Sequence, residues 1–331
     1  MNSSAHVASY SDPVEIPASI LRRNNMWDAL LRNATRTAAL TVLVLLGGVI
    51  ASLVQGSVPA IKAFGFGFLT SSSWNPVTEK FGALPAIYGT LVTSIIAMVI
   101  GVPVSLGIAV FITELCPPRL KRPISTAIEL LAGVPSIIYG IWGLFVLAPF
   151  LQEHVQPILI ALFGHVPLFN MIFAGPPYGI GVLTAGVILS VMVLPYITSV
   201  SRDVFETVPT VLKESAYGLG CTTWEVVRNI VLPYARTGVV GGVMLGLGRA
   251  LGETMAVTFV IGNAHKIASS ILAPGTTISA SIANEFTEAE GDLYSSALIE
   301  LGLILFVITF VVLACARMML ARVEARSGSR V

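Results

Sequence analysis

The stretch ESAYGLGCTTWEVVRNIVLP, Glu214 to Pro233, lies between two long apolar runs and decides how the chain is read. Leu212, Ala216, Leu219, Val226, Val227 and Ile230 recur at helical spacing, and Gly218 and Gly220 interrupt them, so two short helices joined by a glycine turn are expected. The stretch is neither Gly/Ser-rich nor highly charged, which excludes a floppy linker. An amphipathic helix pair standing outside apolar runs has a face that needs a partner groove.

On either side the chain is too apolar for a water-soluble domain. Of 331 residues, 55% are hydrophobic and only 11% charged, with a mean hydropathy of +0.84. Soluble proteins carry about 25% charged residues. The net charge of +1 gives no reason to expect a nucleic acid partner. A membrane-spanning helix needs about 20 apolar residues. Such runs extend over Thr37 to Ile61, Phe81 to Thr113, Leu130 to Gln152, Tyr178 to Ser199, Thr237 to His265 and Leu293 to Ala316, the fifth carrying Arg249 and Glu253 within it. An all-α polytopic membrane protein with six transmembrane helices is therefore expected.

Positive charge orients it. Arg22, Arg23, Arg32, Arg36, Arg119, Lys121, Arg122, Arg202, Lys213, Arg228, Arg236, Arg317, Arg322, Arg326 and Arg330 fall in one set of segments, against Lys62, Lys80 and Lys266 in the other. Both termini are expected in the cytoplasm. The chain then divides into a cytoplasmic tail (1–36), a first span (37–61), an outer loop (62–80), a membrane core (81–316) containing the cytoplasmic loop 202–236, and a cytoplasmic tail (317–331). Asp12, Glu15 and Asp28 precede the first run and no cleavage site follows a short apolar core, so that run is expected to stay as an anchor.

Cys116, Cys221 and Cys315 are too far apart for a metal or redox motif, and the four histidines form no ligand cluster. No metal site, cofactor or catalytic triad is expected. No G-x-x-x-x-G-K-[ST] phosphate loop occurs, so any ATP hydrolysis must come from another polypeptide.

Gly238, Gly242 and Gly246 repeat every four residues, as do Gly248 with Gly252 and the stripe Gly101, Ser105, Ala109, which offers close helix packing or sliding surfaces. Pro103, Pro135 and Pro195 fall inside apolar runs and act as static kinks or as hinges.

The spacing of Glu214, Ser215, Ala216, Gly220, Ile230, Leu232 and Pro233 resembles the EAA loop of permease subunits from bacterial ABC importers, with Ser215 standing where a second alanine is usual. ELLAGVPSIIYGIWG (Glu129 to Gly143), LPYIT (Leu194 to Thr198) and GRALGETMAVT (Gly248 to Thr258) are similar to the phosphate-specific, PstC-type branch. The resemblance implies a type I ABC importer permease fold in the inner membrane. It also implies a PstA-type sister permease, a dimer of cytoplasmic ATPase subunits and a periplasmic phosphate-binding protein as partners, besides membrane lipid. It gives the seven positions named above the task of coupling to the ATPase.

Arg249 and Glu253, four apart in an apolar run, are expected on one helical face within reach of each other, although Arg before Glu is the less favourable order along a helix dipole. They either neutralise one another and fix the helix rotation, or Arg249 offers forked donors to a passing oxyanion while Glu253 holds it. The resemblance favours a place for both on the substrate path. Glu300 is expected to snorkel to the outer surface, Glu129 to pair with a basic residue nearby, and Glu285, Glu288, Glu290 and Asp292 to serve docking or solvation. Permeation of inorganic phosphate is the reading the resemblance carries; molybdate or sulfate, a stand-alone secondary carrier, and an added signalling role toward a sensor kinase stay open. A carrier calls for inverted repeats or ionisable residues in several spans, whereas here they concentrate in one.

Overall fold

A computed structural model describes residues 18–164, 166 and 169–328. Among the described residues the regular structure is helical, apart from one isolated antiparallel bridge between Asn75 and Lys80. Among the described residues six helices are long and apolar enough to cross a membrane: Met26–Phe64, Leu84–Leu115, Ser136–Phe163, Val182–Glu206, Thr223–Leu251 and Asp292–Met318. They are the first to sixth spans below. The chain forms two compact units, residues 1–52 and 53–331. The described part of the first unit is one uninterrupted helical stretch from Ala18, and the same helix runs on to Phe64.

In the second unit the fourth span is the axis. Its most apolar window is 67% buried, against 28% or less for the second, third, fifth and sixth. Ile188, Leu189, Val193 and Ile197 of this span form one apolar cluster with Ala97 of the second span and with Ala256, Val257 and Val260 beyond the fifth. The glycine stripes make that approach possible. A methyl added at Gly246 would stand 2.8 Å from Ile197, at Gly242 3.1 Å from Val200, and at Gly101 2.9 Å from Val193. The small-residue spacing is thus tight helix packing.

Three spans begin elsewhere than their apolar runs, the first of them at Met26 and not Thr37. Leu130 and Leu131 do not open the third span; they end a separate helix, Pro118–Ala132, and the span starts at Ser136. Pro135 sits in the break, where its ring restricts the residue before it and the chain turns extended. Pro103 and Pro195, by contrast, lie within helices. The fifth span begins at Thr223, inside the loop read as 202–236, so only one free-standing short helix, Thr210–Gly218, remains there. A capping box explains the early start: Glu225 N–H donates to the Thr222 hydroxyl, and the Glu225 carboxylate accepts from the Thr222 N–H at 2.8 Å.

The aromatic residues Phe64, Trp74, Phe81 and Tyr294 pack together where the first, second and sixth spans meet. Glu285 does not belong with the solvated acidic residues. Its carboxylate accepts from Trp74 Nε1 at 2.7 Å and from Tyr294 Oη at 2.5 Å, and pairs with His265 at 2.6 Å. Burial works against the charged form, but these three partners and the His265 charge outweigh it and hold the Glu285 carboxyl below the ordinary glutamate range. Glu300 does not snorkel either: it is 7% exposed, and its Oε2 has no hydrogen-bond partner among the described residues.

Candidate functional site

Arg249 and Glu253 do meet, but not on one continuous helix. The fifth span stops at Leu251, the chain crosses Gly252 to Thr254 without helical structure, and a new helix runs Met255–Val260. The guanidinium Nη2 lies 3.2 Å from Glu253 Oε2. Arg249 therefore stands in the last turn of one helix, where the carbonyl ends favour a cation, and Glu253 precedes the next, where its Oε1 accepts from Ala256 N–H at 3.4 Å. The break removes the unfavourable dipole order of a single helix.

The two charges differ in access. The Glu253 side chain is 3% exposed and that of Arg249 43%. Glu253 is the fixed, buried member, while Arg249 is partly open. The ring of Tyr196 on the fourth span lies 6.0 Å from the Arg249 guanidinium carbon, at the limit for a cation–π contact. LPYIT contains Tyr196, yet nothing in its spacing ties it to Arg249; the pairing arises from the glycine-mediated approach of the fourth and fifth spans.

The second group of expected site residues lies at the other end of the fifth span. Glu214, Ser215 and Ala216 are in the helix Thr210–Gly218, with Glu214 and Ser215 exposed and Ala216 buried. Gly220 follows with a φ of +87°, a left-handed conformation that strains any residue bearing a Cβ. Its N–H donates to Tyr217 O at 2.9 Å and that of Cys221 to Ala216 O at 3.1 Å, ending the helix as a glycine-terminated turn. Ile230, Leu232 and Pro233 are separated from this helix; they belong to the first turns of the fifth span, with Ile230 inside the π-helical turn Val227–Val231. Val211, Leu212, Tyr217, Leu219 and Trp224, on this helix and just after it, are all exposed, as is Glu214. Thr222 and Glu225, which fix where the next helix starts, carry the T-x-x-E signal that marks such a box in sequence.

Among the described residues no group of three or more His, Cys, Asp or Glu side chains is placed to hold a metal ion. Cys116, Cys221 and Cys315 are free thiols.

Residues 101–325 match the family model described as binding-protein-dependent transport system inner membrane component. A phosphate transport system permease protein PstC from Mesorhizobium japonicum is 67% identical, with 93% of this chain and 94% of that protein covered. One from Pasteurella multocida is 57% identical over 92% of this chain and 94% of that protein. A chain of a bacterial alginate ABC transporter, solved in complex with a pentasaccharide-bound periplasmic protein, superposes with a TM-score of 0.60 at 19% identity, covering 91% of this chain and 97% of that one. A chain of the MetNI methionine ABC transporter, described as inward facing, gives 0.52 at 17% identity, covering 72% of this chain and 94% of that one. The structural likenesses concern the fold alone. On sequence, the chain belongs to the family of binding-protein-dependent transport system inner membrane components, and within it to the PstC permeases.

Proposed function

We propose that this chain is the permease subunit that conducts inorganic phosphate across the inner membrane in an ATP-driven importer. In this reading a PstA-type sister permease completes the pathway. A dimer of ATPase subunits docks on the helix Thr210–Gly218 and its flanking apolar side chains, and a periplasmic phosphate-binding protein delivers the substrate. The termini and the docking helix face the cytoplasm, in keeping with the excess of Arg and Lys on that side.

The observation that carries the substrate assignment is the unequal exposure of the charged pair. A guanidinium held at one edge by the buried Glu253 and half open at the other offers planar, forked donors to a tetrahedral oxyanion. Glu253 fixes one edge of the guanidinium and competes with the anion for it, so that the anion is released as well as bound. The names carried by relatives at 67% and 57% identity select phosphate among the oxyanions. Hydrolysis of ATP is assigned to the separate subunits, as no phosphate loop occurs in this sequence.

The test is uptake of labelled phosphate into vesicles that hold the chain with its sister permease, with and without the ATPase and the binding protein, and with sulfate and molybdate as competitors. Uptake should require both companions and ATP, and should be lost in Arg249→Ala. Uptake that needs neither companion, or is undiminished in Arg249→Ala, overturns the assignment.

A further inference from the structure

The helix Thr210–Gly218 is joined covalently only to the fourth span, through residues 207–209, and to the fifth, through residues 219–222. Yet its inward face also engages the second span. Ala216 packs in an apolar cluster with Ala109 of that span and with Phe205, Val226 and Val231. Beside it, Lys213 Nζ lies 2.5 Å from Glu114 Oε1, and the side chains of Lys213 and Glu114 are only 16% and 6% exposed. The two residues stand 99 positions apart.

Glu114 lies in a π-helical turn, Phe111–Leu115, that ends the second span. Such turns displace backbone carbonyls from the regular ladder and recur at functional positions. Here Lys121 Nζ donates to the Thr113 carbonyl at 2.9 Å, so two lysines from different elements hold one turn. Arg202, Asp203 and Glu129 form a separate ionic group, with Arg202 bonded to both carboxylates at 2.8 Å, and leave Glu114 to Lys213. Glu214, the neighbour of Lys213, is exposed, so the helix turns Lys213 toward the second span and leaves Glu214 uncovered.

A buried ion pair is a poor source of net stability, because desolvation of both ions offsets their attraction. What it supplies is a single defined register between two elements. We propose that the Glu114–Lys213 pair is the positioning latch through which a displacement of the docking helix reaches the second span, alongside the covalent connections to the fourth and fifth. The inference rests on the reading of Thr210–Gly218 as the ATPase-docking helix. Glu114 touches neither substrate nor nucleotide; it acts through Lys213. The second span then moves with the fourth, against which it packs at Gly101 and Gly186.

The test uses the complete transporter in vesicles, with sister permease, ATPase and binding protein, and reads phosphate taken up per ATP hydrolysed. Glu114→Gln, nearly isosteric, should retain the ATPase subunits on purification and hydrolyse ATP, while the coupling ratio falls about tenfold. The charge exchange Glu114→Lys with Lys213→Glu should recover the ratio to within about threefold of the wild type, whereas either reversal alone should not. A merely structural pair would lower the amount of assembled complex and leave the ratio unchanged. An unchanged ratio in Glu114→Gln, or an exchange that assembles but stays uncoupled, overturns the latch. Failure of the docking reading is distinguishable: the wild-type chain would then not retain the ATPase through this helix at all.

Discussion

Replacing Arg249 by alanine leaves the Glu253 carboxylate, 3% exposed, without its cation. At an effective dielectric of about 20, unit charges 3.2 Å apart attract by about 5 kcal/mol. Because the guanidinium is 43% exposed, water screens the pair, and about 2 kcal/mol is the expected loss. For a chain of 331 residues that lowers the unfolding midpoint by about 3 °C. Thermal unfolding of the detergent-purified complex can be followed by labelling of the buried Cys116 thiol. Adding Glu253→Gln removes the unpaired charge and should return most of the midpoint, because the amide oxygen can still accept from Ala256 N–H. Uptake of phosphate should stay absent in both variants. If Arg249→Ala unfolds at the wild-type temperature, the pair does not hold a buried charge. If uptake returns in the double variant, the guanidinium is not the anion's donor.

Two further outcomes follow from packing and titration. At Gly89 an added methyl would lie 1.8 Å from the Thr276 carbonyl oxygen, a backbone atom, so Gly89→Ala should destabilise the complex by about 3 kcal/mol. In the same span Gly107 has nothing within 4 Å, and Gly107→Ala should gain about 0.5 kcal/mol from helix propensity; equal midpoints for the two variants would refute the packing. The Glu285 carboxyl is held low in the folded chain, so its contribution is present above the unfolded glutamate value of about 4.3 and is lost as pH falls through the lower folded value. Melting midpoints should therefore fall more steeply below about pH 4 in the wild type than in Glu285→Gln, and parallel curves would refute it.

The six crossings were legible because the need for about 20 apolar residues is a property of composition, which no tertiary contact overrides. Their limits were less so. The third run includes Leu130 and Leu131, but Pro135 ends any helix that would join them to Ser136. The fifth starts at Thr223 because Thr222 and Glu225 cap it, a signal present in the letters and masked there by the polarity of its surroundings. The charged pair was readable from spacing alone. Its helix break was not, since Gly252 and Thr254 interrupt the hydropathy no more than any other small residues. Contacts between distant positions, such as Tyr196 with Arg249, Glu285 with Trp74 and Tyr294, and Lys213 with Glu114, have no local pattern to betray them.

The interruption at Gly252 accounts for how two ions are tolerated at this depth. In an unbroken helix the carbonyls of the last turn before Gly252 would bond to N–H groups ahead of them, and Arg249 would gain nothing from them. With the helix ended at Leu251, Arg249 falls in its last turn, where the partial negative charge of the carbonyl end favours a cation. The chain then restarts, and the N–H of Ala256 meets the Glu253 carboxylate. Each ion is thus stabilised by its own helix end as well as by its partner, which offsets part of the desolvation that membrane burial imposes. The arrangement also separates the ions' freedom. Glu253 is tied to the following helix, and that helix is locked to the third span, where a methyl at Gly140 would lie 2.8 Å from Phe259. Arg249 hangs from the fifth span, whose glycines fit it to the fourth. A shift of the fifth span relative to the third therefore changes the distance between Arg249 and Glu253 directly, and with it how far the guanidinium is neutralised.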